Sequence, residues 1–258
     1  MGQLRRAVLT GVLAVAGCAA WGQAPGADLP TMMRAQHGDA QAQFQMGLAC
    51  LTGQGVGQSY EMARTWFEKA AAQGVPEAAY NLGQLYDHGL GVKADDSAAS
   101  VWYRKAADAG SAEGQFSLGA MLEAGRGVEK NPALAVEFYR KAAEQGHAAA
   151  QFNLGLMYDN GSGVAQDQAQ AAAWYRKAAD QGLARAAYNL GSMYTMGQGV
   201  ARDLVEAYFW LGVAAEEWSG DRQTEAARGR DTVGARLTAE QVAAGQERVK
   251  KFVGERAK

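Results

Sequence analysis

The sequence predicts an all-α solenoid of stacked αα-hairpins, closed by a C-terminal capping helical segment. A thirty-six-residue phrase beginning at Ala35 comes round five times without insertion or deletion, as Ala35–Ala70, Ala71–Ala106, Ala107–Ala142, Ala143–Ala178 and Ala179–Ala214. Within each copy, apolar residues recur at helical spacing and are interrupted by a glycine-rich turn. Two prolines, Pro76 and Pro132, fall where helices are expected to begin rather than in their interiors. Fixed periods of this length mark supersecondary units that bury their apolar faces only against neighbours.

At the N-terminus, Arg5 and Arg6 precede an apolar run from Ala7 to Ala16. That layout reads as a secretory signal over residues 1–17, too short to persist as a spanning anchor. Val15-Ala16-Gly17-Cys18 resembles the bacterial lipobox and makes Cys18 the candidate lipidation residue. Acyl chains there would anchor the protein, each buried CH₂ contributing about 0.8 kcal/mol. An ordinary signal peptide cleaved after Gly22 fits the same residues. Both readings export the chain, either to the periplasm or to the outer membrane as a lipoprotein. Residues 18–30, rich in proline and glycine from Gln23 to Pro30, read as a flexible tether.

The repeats over residues 31–214 share one internal logic, seen in Ala143–Ala178. Gly146 ends the preceding helix, where a positive φ favours glycine. His147 to Tyr158 is expected as a first helix, Asp159–Gly163 as a turn and Val164 as its apolar plug. Asp167 then caps a second helix running to Ala179. A glycine recurs inside the first helix at Gly47, Gly83, Gly119, Gly155 and Gly191, at about 1 kcal/mol each in helix propensity. Close approach of a neighbouring helix is the expected reason. The slot filled by Trp66, Trp102, Phe138, Trp174 and Trp210 is expected to be core between repeats, as is that of Phe44, Tyr80, Phe116, Phe152 and Tyr188.

After Ala214 the pattern decays, and residues 215–258 read as a degenerate repeat and cap. Trp218 stands where glycine is expected, and Arg222 and Thr224 replace apolar residues. Thr238 and Gln241 form a capping box for a last helix over Ala239–Glu255.

Composition excludes several functions. Taking Arg5 and Arg6 from the 25 basic residues leaves 23 against 27 acidic ones, a formal −4 with no basic stripe. That argues against nucleic acid. The three histidines occupy different repeat positions without a partner at i+4, so no metal site is expected. The paired glycines lack a preceding strand and read as turns, not phosphate cradles. No nucleophilic set is visible, and neither an enzyme nor a cofactor is expected. Cys50 reads as a small core residue.

These units resemble Sel1-like repeats, relatives of the tetratricopeptide repeat. The resemblance rests on the runs Ala79–Tyr86 and Gln151–Tyr158, the G-x-G-V loops Gly53–Val56, Gly89–Val92, Gly125–Val128, Gly161–Val164 and Gly197–Val200, and the W-Y-R-K-A-A endings Trp102–Ala107 and Trp174–Ala179. The close Ala207–Trp210 and Leu237–Gln241 segments also resemble the ending of many such bacterial proteins. The resemblance implies a protein–protein scaffold of the bacterial envelope, whose partner is another envelope protein or a peptide segment. Control of a sensor kinase is an alternative use. Some secreted relatives with cysteine pairs in every repeat are associated with β-lactam binding or hydrolysis. This chain lacks those pairs, and a hydrolase or binder acting on cell-wall material or β-lactams is the weaker alternative.

The resemblance also implies that first helices line the inner surface. One position on them is persistently polar: Gln45, Asn81, Ser117, Asn153 and Asn189. These residues read either as a ladder of donors and acceptors gripping an extended peptide, or as fasteners holding one repeat to the next. Contact with a membrane is expected only through the lipid on Cys18, and the protein is expected to be monomeric.

Overall fold

The structure is a computed structural model that describes residues 28–256. Among the described residues every regular element is a helix. The secretory signal, Cys18 and most of the expected tether lie outside the described residues.

Two compact units divide the chain, one ending at Ala78 and the other beginning at Ala79. The first contains α1 (Leu29–Gln36), α2 (Ala40–Thr52) and α3 (Tyr60–Ala72). Helix α4 (Pro76–His88) begins in it and runs into the second. The second continues with α5 (Asp96–Asp108), α6 (Ala112–Ala124), α7 (Pro132–Glu144), α8 (Ala148–Asn160), α9 (Gln168–Asp180), α10 (Ala184–Met196) and α11 (Leu204–Glu217). Helices α12 (Gly220–Gly234) and α13 (Ala239–Arg256) close it. The last residues of the expected tether are ordered: Asp28 accepts from Thr31 N at 2.8 Å and caps α1, whose first turn takes Pro30.

Local chemistry fixes the boundaries. Side chains of Asp39, Ser59, Asp95, Ser111, Asn131, Asp167 and Asp203 each accept a backbone N–H and start a helix. Pro132 follows its cap at the first helical position, where a missing N–H costs nothing. His147 is a cap, not the helical residue expected: its Nδ1 accepts from Ala150 N at 3.1 Å. First helices end on left-handed Gly53, Gly125, Gly161 and Gly197. The capping box of α13 is reciprocal, with Thr238 N donating to Gln241 at 2.9 Å and Gln241 N to Thr238 at 3.2 Å.

Each hairpin of the second unit packs a first helix against a second and passes its apolar stripe to the next. Leu118, Tyr139, Leu154, Met157, Tyr175, Leu190, Trp210 and Val213 lie in one continuous buried core. The loop valines Val128, Val164 and Val200 pack against it as plugs. In the first unit Val56 packs against Ala35, Ala42 and Met46.

The helix-interior glycines have the expected cause, close approach of a neighbouring helix, and the structure shows which helix it is. A β-carbon at Gly119 would stand 2.9 Å from the ring of Tyr139, and one at Gly155 2.7 Å from that of Tyr175. Gly47 faces Phe67 and Gly83 faces Tyr103 in the same way. The aromatic that demands space is therefore on the second helix of the same hairpin. It is also the most buried aromatic there: Phe67, Tyr139 and Tyr175 are wholly enclosed. Trp66 and Trp102, expected as core, are only half-buried. Lys69 lies 4.4 Å over the first ring and Lys105 3.9 Å over the second.

Buried glutamines form a clip within three hairpins. Gln115 donates to Ala107 O at 3.3 Å while accepting from Gln145 at 2.8 Å, and Gln151 repeats this with Ala143 and Gln181. Gln43, Ala35 and Gln73 make the equivalent set in the first unit. One buried amide thus ties the preceding helix, its own helix and the end of the following one.

Candidate protein-binding face

In the second unit, helices α4, α6, α8 and α10 carry an aromatic and then a small polar residue at the same register. The pairs are Tyr80 and Asn81, Phe116 and Ser117, Phe152 and Asn153, and Tyr188 and Asn189. Phe152 is buried and the other seven side chains are half-buried. In the first unit Phe44 and Gln45 hold this register on α2, also half-buried, and Gln45 Oε1 is enclosed without a hydrogen-bond partner.

The aromatics lean on the second helix of their own hairpin. Phe116 meets Tyr139 at 5.8 Å between centroids, and Phe152 meets Tyr175 at 5.6 Å. The polar residues reach between hairpins instead. Asn153 pairs with the hydroxyl of Tyr139, Asn189 with that of Tyr175, and Ser117 with that of Tyr80. They act as fasteners between successive hairpins. An asparagine amide has two donors and an acceptor, so one such contact leaves it able to bind a partner as well.

The sequence marks Asp87, Glu123 and Asp159 as variable neighbours of this row that would tune partner choice, but not the tyrosines that hold them. Tyr103 Oη donates to Asp87 Oδ2 at 3.2 Å, Tyr139 to Glu123 Oε2 at 2.7 Å, and Tyr175 to Asp159 Oδ2 at 3.3 Å. Burial, reinforced by these carboxylates, pushes all three phenols well above the usual tyrosine range. Tyr80 is pushed up to about 12, again chiefly by burial. The hydroxyls therefore stay protonated and hold the carboxylates in place. A signal existed in the sequence. Acid and tyrosine stand sixteen residues apart in three repeats, and Leu51 and Phe67 stand at the same two positions where both are missing.

Three side chains from elsewhere lie against the row. The Arg126 guanidinium bonds Asp87 and, at 2.6 Å, Asp96, and it holds the Asp96 carboxyl below its ordinary range. His147 stacks on Phe116 at 4.6 Å, and Arg185 sits 4.9 Å over the Phe152 ring.

Among the described residues no group of three or more His, Cys, Asp or Glu is placed to hold a metal. Cys50 is fully enclosed, and burial pushes its thiol up, the opposite of what a nucleophile needs. No helix among them is long and apolar enough to cross a membrane.

A repeated hairpin with these loops and this polar row defines a helical-repeat scaffold. The chain belongs to the Sel1 repeat family, whose repeat matches residues 40–75, 76–111, 112–147, 148–183 and 184–217. Those units open on the first helix and share the period read from the sequence. A Sel1 repeat protein from Oxalobacter formigenes is similar in structure, with 31% identity and a TM-score of 0.68 over 82% of this chain and 85% of that one. A putative Sel1 repeat protein from Klebsiella pneumoniae aligns at 26% identity and TM-score 0.49, over 80% of this chain and 98% of that one. Immunity protein Pa5087 from Pseudomonas aeruginosa aligns at 25% identity and TM-score 0.47, over 83% and 81%. No curated protein matches the sequence. Sel1 repeat proteins generally act as scaffolds that bind other proteins.

Proposed function

We propose that this protein is an exported adaptor of the bacterial envelope that holds another envelope protein, or a peptide segment of one, on its first-helix face. The observation that carries the reading is the half-buried aromatic and polar row at one register of α4, α6, α8 and α10. A row fastened from behind keeps its geometry before a partner arrives, so association meets little ordering cost. The apolar leader with Arg5 and Arg6, and Cys18 within its lipobox-like tetrapeptide, support export and a lipid tether.

Crosslinking pulldown from envelopes, read by mass spectrometry, tests this. The wild-type chain is expected to capture a defined partner, and the Asn81→Ala, Asn153→Ala, Asn189→Ala triple variant to lose it while remaining helical. Unchanged capture by a folded triple variant would reject the face. The same experiment reads whether Cys18 carries lipid.

A further inference from the structure

We infer that the partner segment is basic, and that Asp87, Glu123 and Asp159 form a row of cation-binding positions on the face proposed above. The inference rests on that protein-binding reading and adds the chemistry of what is bound. Each carboxylate ends a first helix at the same register, and each has one oxygen held by the buried tyrosine of its own hairpin. Fixed in this way, each of the three carboxylates is held at a set angle with one oxygen beyond the tyrosine contact. A mobile surface acid would have to be ordered first.

The chain itself displays what such a position accepts. At Asp87 the second oxygen is taken by the guanidinium of Arg126, from the glycine loop of the following hairpin. The equivalent loop residues are Ser162 and Gln198, which carry no charge. Glu123 and Asp159 thus keep the tyrosine contact and have no such arginine. A second guanidinium, that of Arg185, lies on the aromatic row over Phe152. Carboxylate and ring alike are already engaged by arginine within this unit, and the formal −4 of the chain without Arg5 and Arg6 favours a cationic partner over an anionic one.

An extended segment rises about 3.3 Å per residue, so one with cations at intervals along it would span more than one of these carboxylates. Arg126 acts as a built-in occupant that shortens the row at its Asp87 end.

Fluorescence anisotropy with a labelled Arg-Ala-Ala repeat peptide tests this, with a Glu-Ala-Ala peptide as control and circular dichroism to confirm folding. The arginine peptide is expected to bind, weakening as salt rises. Glu123→Gln with Asp159→Asn, which still accept from the tyrosines, should weaken it about tenfold or more. Arg126→Ala should strengthen it by uncovering Asp87, and Arg126→Gln should do the same if the alanine variant folds poorly. Equal affinity for both peptides, or no change with Glu123→Gln and Asp159→Asn, would overturn the inference. So would weaker binding by the folded Arg126 variants. If the asparagine triple variant loses envelope capture while the carboxylate variants keep it, the face stands and the cation row falls. If neither set affects capture, the face itself falls.

Discussion

Tyr139 Oη donates to Glu123 Oε2 at 2.7 Å from a fully enclosed ring that also fills the space left by Gly119. One side chain therefore sets the packing of the hairpin and the position of an acid on the proposed binding face. Tyr139→Phe should destabilise by about 1–2 kcal/mol, because a half-buried carboxylate loses its donor. Adding Glu123→Leu should restore most of that loss, since the pair then matches Leu51 and Phe67 of the first hairpin. Urea denaturation of both variants measures it; an additive double variant would contradict the coupling.

Glycines of the repeat should differ sharply in their tolerance of alanine. At Gly163 φ is 69°, and a β-carbon would stand 2.4 Å from the backbone of Pro132 in the preceding second helix. At Gly146 φ is 90° but nothing lies within 4 Å. Gly146→Ala should cost about 1 kcal/mol from backbone conformation alone. Gly163→Ala should cost clearly more, because backbone must move. Thermal melts of the two variants would give the ranking.

The glutamine clip makes a third prediction. Gln151→Ala removes the acceptor for Gln181 and the donor to Ala143 O, which should cost about 1–3 kcal/mol. Gln151→Ala with Gln181→Ala should cost less than the two changes summed. Ala79 and Ala109 already stand together at these positions in the second hairpin. A double-mutant cycle in denaturant reads the difference.

Acid should loosen α8. Burial pushes the His147 imidazole below its ordinary value of 6.5, while Glu113, facing it from α6, pulls the other way. Its Nδ1 must stay unprotonated to accept from Ala150 N, and a cation is disfavoured at a helix N-terminus. The stabilisation is complete above about pH 6.5 and is lost as pH falls through the lowered folded value. His147→Ser, which keeps a cap, should flatten the melting-temperature profile across that window. A profile unchanged by the substitution would assign the acid sensitivity to other groups.

Much of this architecture was legible because the sequence repeats. Period, hairpin form, caps such as Asp167 and Asn131, and the box at Thr238 and Gln241 follow from local rules that tertiary packing did not override. The helix glycines were legible as a steric demand, but not which atoms made it, since ring direction depends on the partner helix. The core slot held at Phe138, Trp174 and Trp210, which are buried. At Trp66 and Trp102 the adjacent Phe67 and Tyr103 are the more enclosed rings, where size alone favours tryptophan. The asparagine row was visible as a pattern, yet its contacts to Tyr139 and Tyr175 cross hairpins and depend on stacking. The tyrosine and carboxylate pairs were written in the spacing. They emerge only when repeats with Asp87, Glu123 and Asp159 are compared with the one bearing Leu51.

Site-specific photocrosslinking in envelopes tests the binding face most directly. A photoreactive side chain at Ala120 or Leu156, half-buried on first helices, is compared with one at Glu137 or Ala173, exposed on second helices. The account predicts a partner adduct from the first pair of positions and little from the second. Adducts arising chiefly from Glu137 and Ala173 would place recognition on the opposite helices and contradict it.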